Sequence, residues 1–215
     1  MANLGAKKSM SPLVRAKPSE RFSVNSSAND RTYPLPSNER ERLQELYSYS
    51  VLGTPAELAY DNVLATIKRI FEVPMAVISF VDDRHQWFKA KLGTEVCETA
   101  REDSFCTYAI LDTKPLVIEN ALLDDRFKDN VLVANPPHVR FYAGAPLITP
   151  RGFCIGGICA IDSVPRKATD RQLAALEASA KLIVRFLEAR KCLAGSFRFG
   201  KSLAEMNGNL SSLKL

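Results

Sequence analysis

Residues 73–81 read Val-Pro-Met-Ala-Val-Ile-Ser-Phe-Val, and this run constrains the fold more than any other stretch of the chain. Side chains alternate across a strand, so Val77 and Val81 fall on one face and Ile78 and Phe80 on the other. Both faces are therefore apolar, which suits a strand in the middle of a sheet that is covered on both sides. The polar turn Asp82-Asp83-Arg84 follows, and Gln86–Leu92 continues as a second strand. Leu116–Ile118 is a third, and Phe141–Ile148 with Phe153–Ile161 forms a hairpin around Pro150-Arg151-Gly152.

Helical spacing frames these strands. Asn38 stands as an N-cap before a helix whose apolar face is Leu43, Leu46, Tyr47 and Val51. A second helix over Leu58–Phe71 places Tyr60, Val63, Leu64, Ile67, Ile70 and Phe71 at helical spacing. Ser104–Leu111 is a short helix capped by Asp103 or Ser104, and a long one runs from Thr169-Asp170 to about Cys192. The order α-α-β-β-α-β-loop-β-β-α predicts an antiparallel sheet with helices packed on it, the α+β class.

At 215 residues, 46% hydrophobic and 25% charged, the chain has room for one domain and two extensions. Residues 1–38 hold seven serines and four prolines without a structural period and are expected to be a disordered basic tail. The domain spans 39–192, and 193–215 form a C-terminal tail. Six of the basic side chains lie in 1–38 against Glu20 and Asp30, so the net charge of +5 belongs to the extensions. The part between them is slightly acidic, which argues against a nucleic-acid face. No apolar run reaches the ~18 residues of a membrane span. Lys7, Lys8, Arg15 and Lys17 break up any secretory core. The expected location is the cytoplasm, with residues 1–19, free of acidic groups, also compatible with an organellar transit peptide.

The five cysteines, 97, 106, 154, 159 and 192, are odd in number and contain no C-x-x-C pair, so neither a disulfide framework nor a zinc site is expected. An odd separation along one strand sets Cys154 and Cys159 on opposite faces about 16 Å apart, beyond bridging. His85 and His138 fall in turn or loop segments and read as solvated side chains rather than ligands. Phosphate-loop, dinucleotide and nucleophile-elbow motifs are absent, and Gly156-Gly157, inside a strand, marks a bulge or close backbone approach.

The candidate site lies between residues 80 and 145. Phe80, Trp87, Phe88, Phe105, Tyr108, Phe127, Phe141 and Tyr142 supply aromatic surface, and Asp125, Arg126 and Arg140 supply charge among them. An apolar lining with a few polar groups is the composition of a small-molecule pocket, although a plain aromatic core has the same composition. The stretch 119–139, rich in Asp, Asn and Pro, is long for a structureless connection and is expected to act as a lid that orders over a ligand. Cys106 falls in the first turn of the short helix, where the helix dipole favours a thiolate; Glu102 and Asp103 oppose that, and an inert buried cysteine is the alternative.

The strings Leu52-Gly53-Thr54-Pro55, Phe80-Val81-Asp82, Gln86-Trp87-Phe88-Lys89, Ser104-Phe105-Cys106, Asp125-Arg126-Phe127, Arg140 to Leu147 and Gly157 to Asp162 together resemble a GAF domain. The likeness is to the branch common in bacterial sensor kinases and cyclic-di-nucleotide signalling proteins, and it spans roughly residues 39–190. It implies a central antiparallel sheet with helices on one face, a ligand pocket on the other, and a regulatory role without catalysis. The ligand set it implies includes Ser104 and Cys106 with the aromatic and charged groups above. Cys106 is followed by Thr107 and Tyr108 rather than the His of bilin-attaching domains, and the Asn-Lys pair of cyclic-nucleotide domains is absent. The cofactor is therefore left unknown. The family also contains free methionine sulfoxide reductases, so a thiol reductase using Cys106, with Cys97 as resolving partner, is an alternative; a ligand-free interaction module is another.

The last helix carries two apolar seams. Leu173, Leu176, Ala180, Ile183 and Leu187 form one; Ala175, Ser179, Leu182, Phe186 and Leu193 form the other, about 200° around the helix. Packing on a sheet needs only one. The second is expected either to pair with its copy in a homodimer through helix 170–192, or to be covered by the first helix through Leu43, Leu46 and Tyr47. The expected partners are thus an unknown small molecule and a second protomer, with neither nucleic acid nor membrane.

Overall fold

The computed structural model describes residues 33–211. The tail and transit-peptide expectations for residues 1–32, and the end of the C-terminal tail at 212–215, lie outside the described residues. Five helices are described: α1 (Glu39–Ser48), α2 (Leu58–Phe71), α3 (Phe105–Ala109), α4 (Val131–Ala134) and α5 (Asp170–Ser211). The strands are β1 (Met75–Val81), β2 (His85–Leu92), β3 (Glu98–Ala100), β4 (Leu116–Ile118), β5 (Phe141–Ile148) and β6 (Cys154–Asp162). They form one antiparallel sheet in the order β3-β2-β1-β6-β5-β4. The architecture is α+β, as the alternation of periods predicts.

The doubly apolar β1 sits mid-sheet, and its two faces feed two cores. Ala76, Ile78 and Phe80 point into the larger one, closed by α2 and α5. Val77 and Val81 point into the smaller one, under α3 and the 119–139 segment. Tyr60, Val63, Leu64, Ile67 and Phe71 of α2 are buried while Ile70 is part-exposed. Glu72 closes that helix in the left-handed conformation, φ 53°. Gly156 is required where it stands: an added Cβ would meet the carbonyl oxygen of Ser79 at 2.1 Å.

Two bulges re-phase the strands. In β2, Ile78 pairs with Ala90 but Ser79 pairs with Phe88, which leaves Lys89 as the extra residue. In β6, Pro146 pairs with Gly157 while Ile148 pairs with Cys154, so one residue more is spent on β6 than on β5. The second bulge corrects the expectation for Cys154 and Cys159. Both end up in the smaller core, because the inserted residue cancels the odd separation.

Several local expectations change in the same way. Asn38 stands at the N-cap of α1 but its side chain makes no capping bond. Tyr47 is exposed, and Arg42 and Glu45 are the buried members of that helix with Leu46. A charged pair of residues replaces an apolar stripe because each finds a partner: Arg42 on Glu39, Glu45 on Arg151 at 2.8 Å. The last helix does not stop at Cys192 but continues to Ser211. No proline interrupts it, and glycines such as Gly195 and Gly200 weaken a helix by only about 1 kcal/mol each.

The first seam of α5 is buried on the sheet through Leu176, Ala180, Ile183 and Leu187. The second is covered in part by α2 rather than by the apolar residues of α1: Phe186 meets Tyr60 edge-on at 5.9 Å. From α1 come polar ties instead, Tyr49 hydroxyl to Glu188 and Lys191 Nζ to Ser48 Oγ at 2.9 Å. Leu182 and Leu193 remain exposed.

Candidate functional site

On the smaller-core face, polar atoms converge where an apolar run would have sufficed. Ser79 is the one hydroxyl inside β1, and Gln86 of β2 donates from Nε2 to its Oγ at 2.7 Å. The same amide donates to Cys106 Sγ at 3.1 Å, Ser79 Oγ donates to it at 3.5 Å, and Tyr142 Oη of β5 lies 3.2 Å from it. Cys106 is placed there by α3, whose N-cap Ser104 accepts a bond from Thr107 N at 3.2 Å. Tyr142 reaches the thiol because Gly144 has no side chain: a Cβ there would fall 2.2 Å from the phenol oxygen.

The cluster separates the acidities of its members. A hydrogen bond with Cys159 lowers the Cys106 thiol to about 7; burial opposes this, and Ser79, Tyr142 and Gln86 add to it. Cys159 is pushed well above the ordinary thiol range by the same bond and by burial. Tyr142 is pushed up by burial and by negative charge on Cys106.

Above this floor lies a cavity of about 70 Å³ with almost wholly apolar walls. Val77, Phe88, Phe105, Tyr142, Cys159 and Ile161 form the base and sides, with Gln86 as the principal polar group. Thr94, Val96 and Thr99 close it from the β2–β3 side, and Leu132, Pro137 and Val139 close it from the 119–139 segment. That segment is already packed. It contains a short 3-10 turn, Ala121–Leu123, and α4, and it buries Ala121, Phe127, Val133 and Val139. Asn130 ties it to the start of α3 by donating from Nδ2 to the Asp103 carbonyl at 3.0 Å. Arg140 pins its end, with Nη1 donating to the carbonyls of Val133 and Val139.

Of the residues expected at the site, the structure brings Phe88, Phe105 and Tyr142 to the cavity wall and Cys106 directly behind it. Ser104 positions α3. Phe127 stacks on Phe105 at 4.3 Å and meets Tyr108 at 4.8 Å, supporting the wall from behind. Phe80, Trp87 and Phe141 belong to the opposite, helix-covered face, because strand alternation sends them there. Arg126 is paired with Asp124 at 2.6 Å over the outer face of Phe127, and Asp125 is exposed with Lys128 at 2.7 Å. Cys97 is exposed beside Lys91 Nζ at 3.3 Å and makes no recorded bond to Cys106. Sequence reasoning passed over Ser79, Gln86 and Cys159. The cue was a hydroxyl inside an otherwise apolar central strand, and the two bulges hid the partners.

A second buried network holds the entrance to α3. Glu39 accepts from Arg42 Nε and Nη2 at 2.8 Å and from Arg101 Nη1 at 2.5 Å. Arg42 also donates to the Val81 carbonyl at 2.8 Å and Arg101 to that of Asp82 at 2.7 Å. Burial would raise the Glu39 carboxyl, but the two arginines hold it below its usual range. The Arg101 carbonyl in turn accepts from Thr107 Oγ1 at 2.7 Å, so α1 and α3 are joined through one carboxylate.

A family model for the GAF domain matches residues 55–187. The chain belongs to the GAF family. It is a family of sensor and regulatory domains, and the six-stranded antiparallel sheet with its packed helices agrees with it. A cyclic di-GMP phosphodiesterase of Pseudomonas aeruginosa is 40% identical over 154 residues, 71% of this chain and 26% of that protein. The chain therefore spans about a quarter of the relative's length. Among solved structures, the blue-light-absorbing form of the PixJ GAF domain of Thermosynechococcus elongatus aligns with a TM-score of 0.54 at 12% identity, covering 77% of this chain and 96% of that one. A free methionine-R-sulfoxide reductase from Neisseria meningitidis, solved with its substrate, aligns with a TM-score of 0.53 at 16% identity, covering 75% and 96%. These two share the GAF fold. Among the described residues no helix is long and apolar enough to cross a membrane.

Proposed function

We propose that this GAF domain binds a small molecule reversibly in the cavity between β1, β2, β5, β6, α3 and the 119–139 segment, and passes the change to a partner or a second copy without catalysing a reaction. The observation that carries this reading is the cavity itself, mostly apolar, with Gln86 and Tyr142 on its floor and Thr94 and Thr99 at its side as the few polar residues. A volume of about 70 Å³ takes on the order of five waters, so the ligand is compact or enters only in part unless the 119–139 segment shifts. Arg101, bonded to both α1 and α3, gives binding a route out of the site.

A thermal-shift screen of metabolites, nucleotides and chromophores tests it, because a ligand of the folded state raises the melting temperature. The expected result is a compound whose shift is lost in Phe88→Ala and Gln86→Ala. A panel with no effect on the wild type, or a shift that both variants retain, refutes this placement.

The thiol-reductase reading draws support from the lowered Cys106 thiol. Its resolving partner is the weak point, since Cys97 lies exposed on the β2–β3 hairpin. Turnover of methionine sulfoxide with a thiol reductant, abolished by Cys106→Ser, would favour it.

A further inference from the structure

We propose that Cys106 and Cys159 form a covalent modification site: a small peroxide oxidises the pair to a disulfide that closes the floor of the cavity. The two thiols enter one buried cluster from different elements, α3 and β6, where Cys159 Sγ donates to the Val77 carbonyl at 3.5 Å and each sulfur is the other's strongest electrostatic partner. Nothing stands between α3 and the strand at this point, because Gly157 lies on the same face as Cys159. A Cβ at Gly157 would be an ordinary 3.6 Å from Cys106 Sγ. Cys159 is itself part of the cavity wall and Cys106 lies behind it among Gln86 and Tyr142, which also line the cavity, so an oxidant of two heavy atoms in the cavity is separated from the Cys106 sulfur only by these side chains.

The surroundings favour the reaction at Cys106. Gln86 and Ser79 direct an N–H and an O–H at its sulfur, and the Tyr142 hydroxyl is placed to donate a third bond. Hydrogen-bond donors stabilise a thiolate, and the thiolate is the nucleophile. The remaining cysteines have other settings. Cys97 and Cys192 are exposed, and Cys154 bonds to the Asp112 carbonyl at 3.6 Å with its thiol raised by burial.

The chemistry balances in two steps. The Cys106 thiolate attacks one oxygen of hydrogen peroxide; the S–O bond forms, the O–O bond breaks, and hydroxide leaves to be protonated to water. The Cys159 sulfur then attacks the sulfenic sulfur; the S–S bond forms, the S–O bond breaks, and the hydroxyl leaves with the Cys159 proton as a second water. Two thiols lose two electrons and the peroxide gains them. Gln86 and Tyr142 lose a charged acceptor and the cavity floor is re-formed. Any effect of that on ligand binding rests on the small-molecule reading above, whereas the bond itself does not.

Full-length reduced protein is exposed to hydrogen peroxide, its remaining thiols are counted after denaturation, and its linked peptides are identified by mass. The expected result is loss of two of the five thiols, one linked pair joining Cys106 to Cys159, and full recovery with dithiothreitol. Cys159→Ala should instead leave a sulfenic acid on Cys106 that dimedone captures. No loss of thiols, a pair that includes Cys97 or Cys192, or sulfinic acid at Cys106 beside a free Cys159 overturns the proposal. A ligand screen with no hits would remove the small-molecule reading and leave this result standing.

Discussion

Replacing Glu39 by glutamine removes a negative charge and almost no volume. It does so between two guanidinium groups, Arg42 and Arg101, whose side chains are 1% and 0% exposed. Breaking a buried ion pair by neutralising one partner costs about 3–5 kcal/mol, because the other charge is left uncompensated. Glu39 itself is 14% exposed, so water relieves part of that cost, and the variant should lose about 3 kcal/mol. For a chain of this size that is a fall in Tm of roughly 6–12 °C. Urea unfolding followed by the fluorescence of Trp87, the sole tryptophan, measures it. The arginines lower the Glu39 carboxyl in the folded state, so its contribution is complete above the ordinary glutamate range of about 4.3. It is lost as pH falls through the lower folded value. The gap between wild type and variant should thus be constant from pH 8 to 5 and narrow below about 4.3. A gap under about 1 kcal/mol at pH 7 would show that the arginines do not depend on this carboxylate.

Three further outcomes follow from the packing. Phe127→Ala removes a fully buried ring stacked between Phe105 and Tyr108 and should cost about 3–5 kcal/mol in the same unfolding assay; a cost below 1 would mean the 119–139 segment is not anchored there. Gly144→Ala drives a methyl into the Tyr142 phenol and should abolish the thermal shift of any cavity ligand, while Gly152→Ala, with open space around it but a left-handed backbone (φ 85°) that costs about 1 kcal/mol, should lower the starting Tm and leave that shift intact. If exposed Leu182 and part-buried Phe186 belong to a homodimer interface on α5, Leu182→Glu with Phe186→Glu should convert a dimer to a soluble monomer in sedimentation; a monomeric wild type at tens of micromolar, a concentration suited to ordinary dimer affinities, ends that idea.

The sequence makes the layer architecture legible because periodicity is a local signal. Phe71 as the end of α2, Leu116–Ile118 and Phe141–Ile148 were all readable from alternation and turn residues alone. Site geometry was less legible because it depends on parity, and parity is altered by bulges that leave no mark in composition. Phe80, Trp87 and Phe141 look as suitable for a ligand as Phe88 and Tyr142, yet they face α2 and α5. The buried charges were hidden for a different reason. Nothing in the local sequence marks Arg42 and Arg101 as buried, because Glu39, the carboxylate between them, lies 62 residues away in one of the two pairs.

The bulge at Lys89 also bears on how such a chain can change length. Elsewhere in a sheet, gaining or losing one residue exchanges the two sides of everything beyond it. Here the strand already carries one such insertion, and both halves are committed: Gln86 and Phe88 to the cavity, Ala90 and Leu92 to the helices. Lys89 is not spare, since its Nζ is anchored to Thr54, the Pro55 carbonyl and Glu57. Deleting that one residue would restore plain alternation, with Gln86 and Phe88 still on the cavity and Ala90 and Leu92 still on the helices, so the loss would be the amine's three bonds and not the strand's two faces. Homologous chains one residue shorter in β2 should accordingly lack this lysine, keep the same cavity and helix faces, and differ at its partners Thr54 and Glu57.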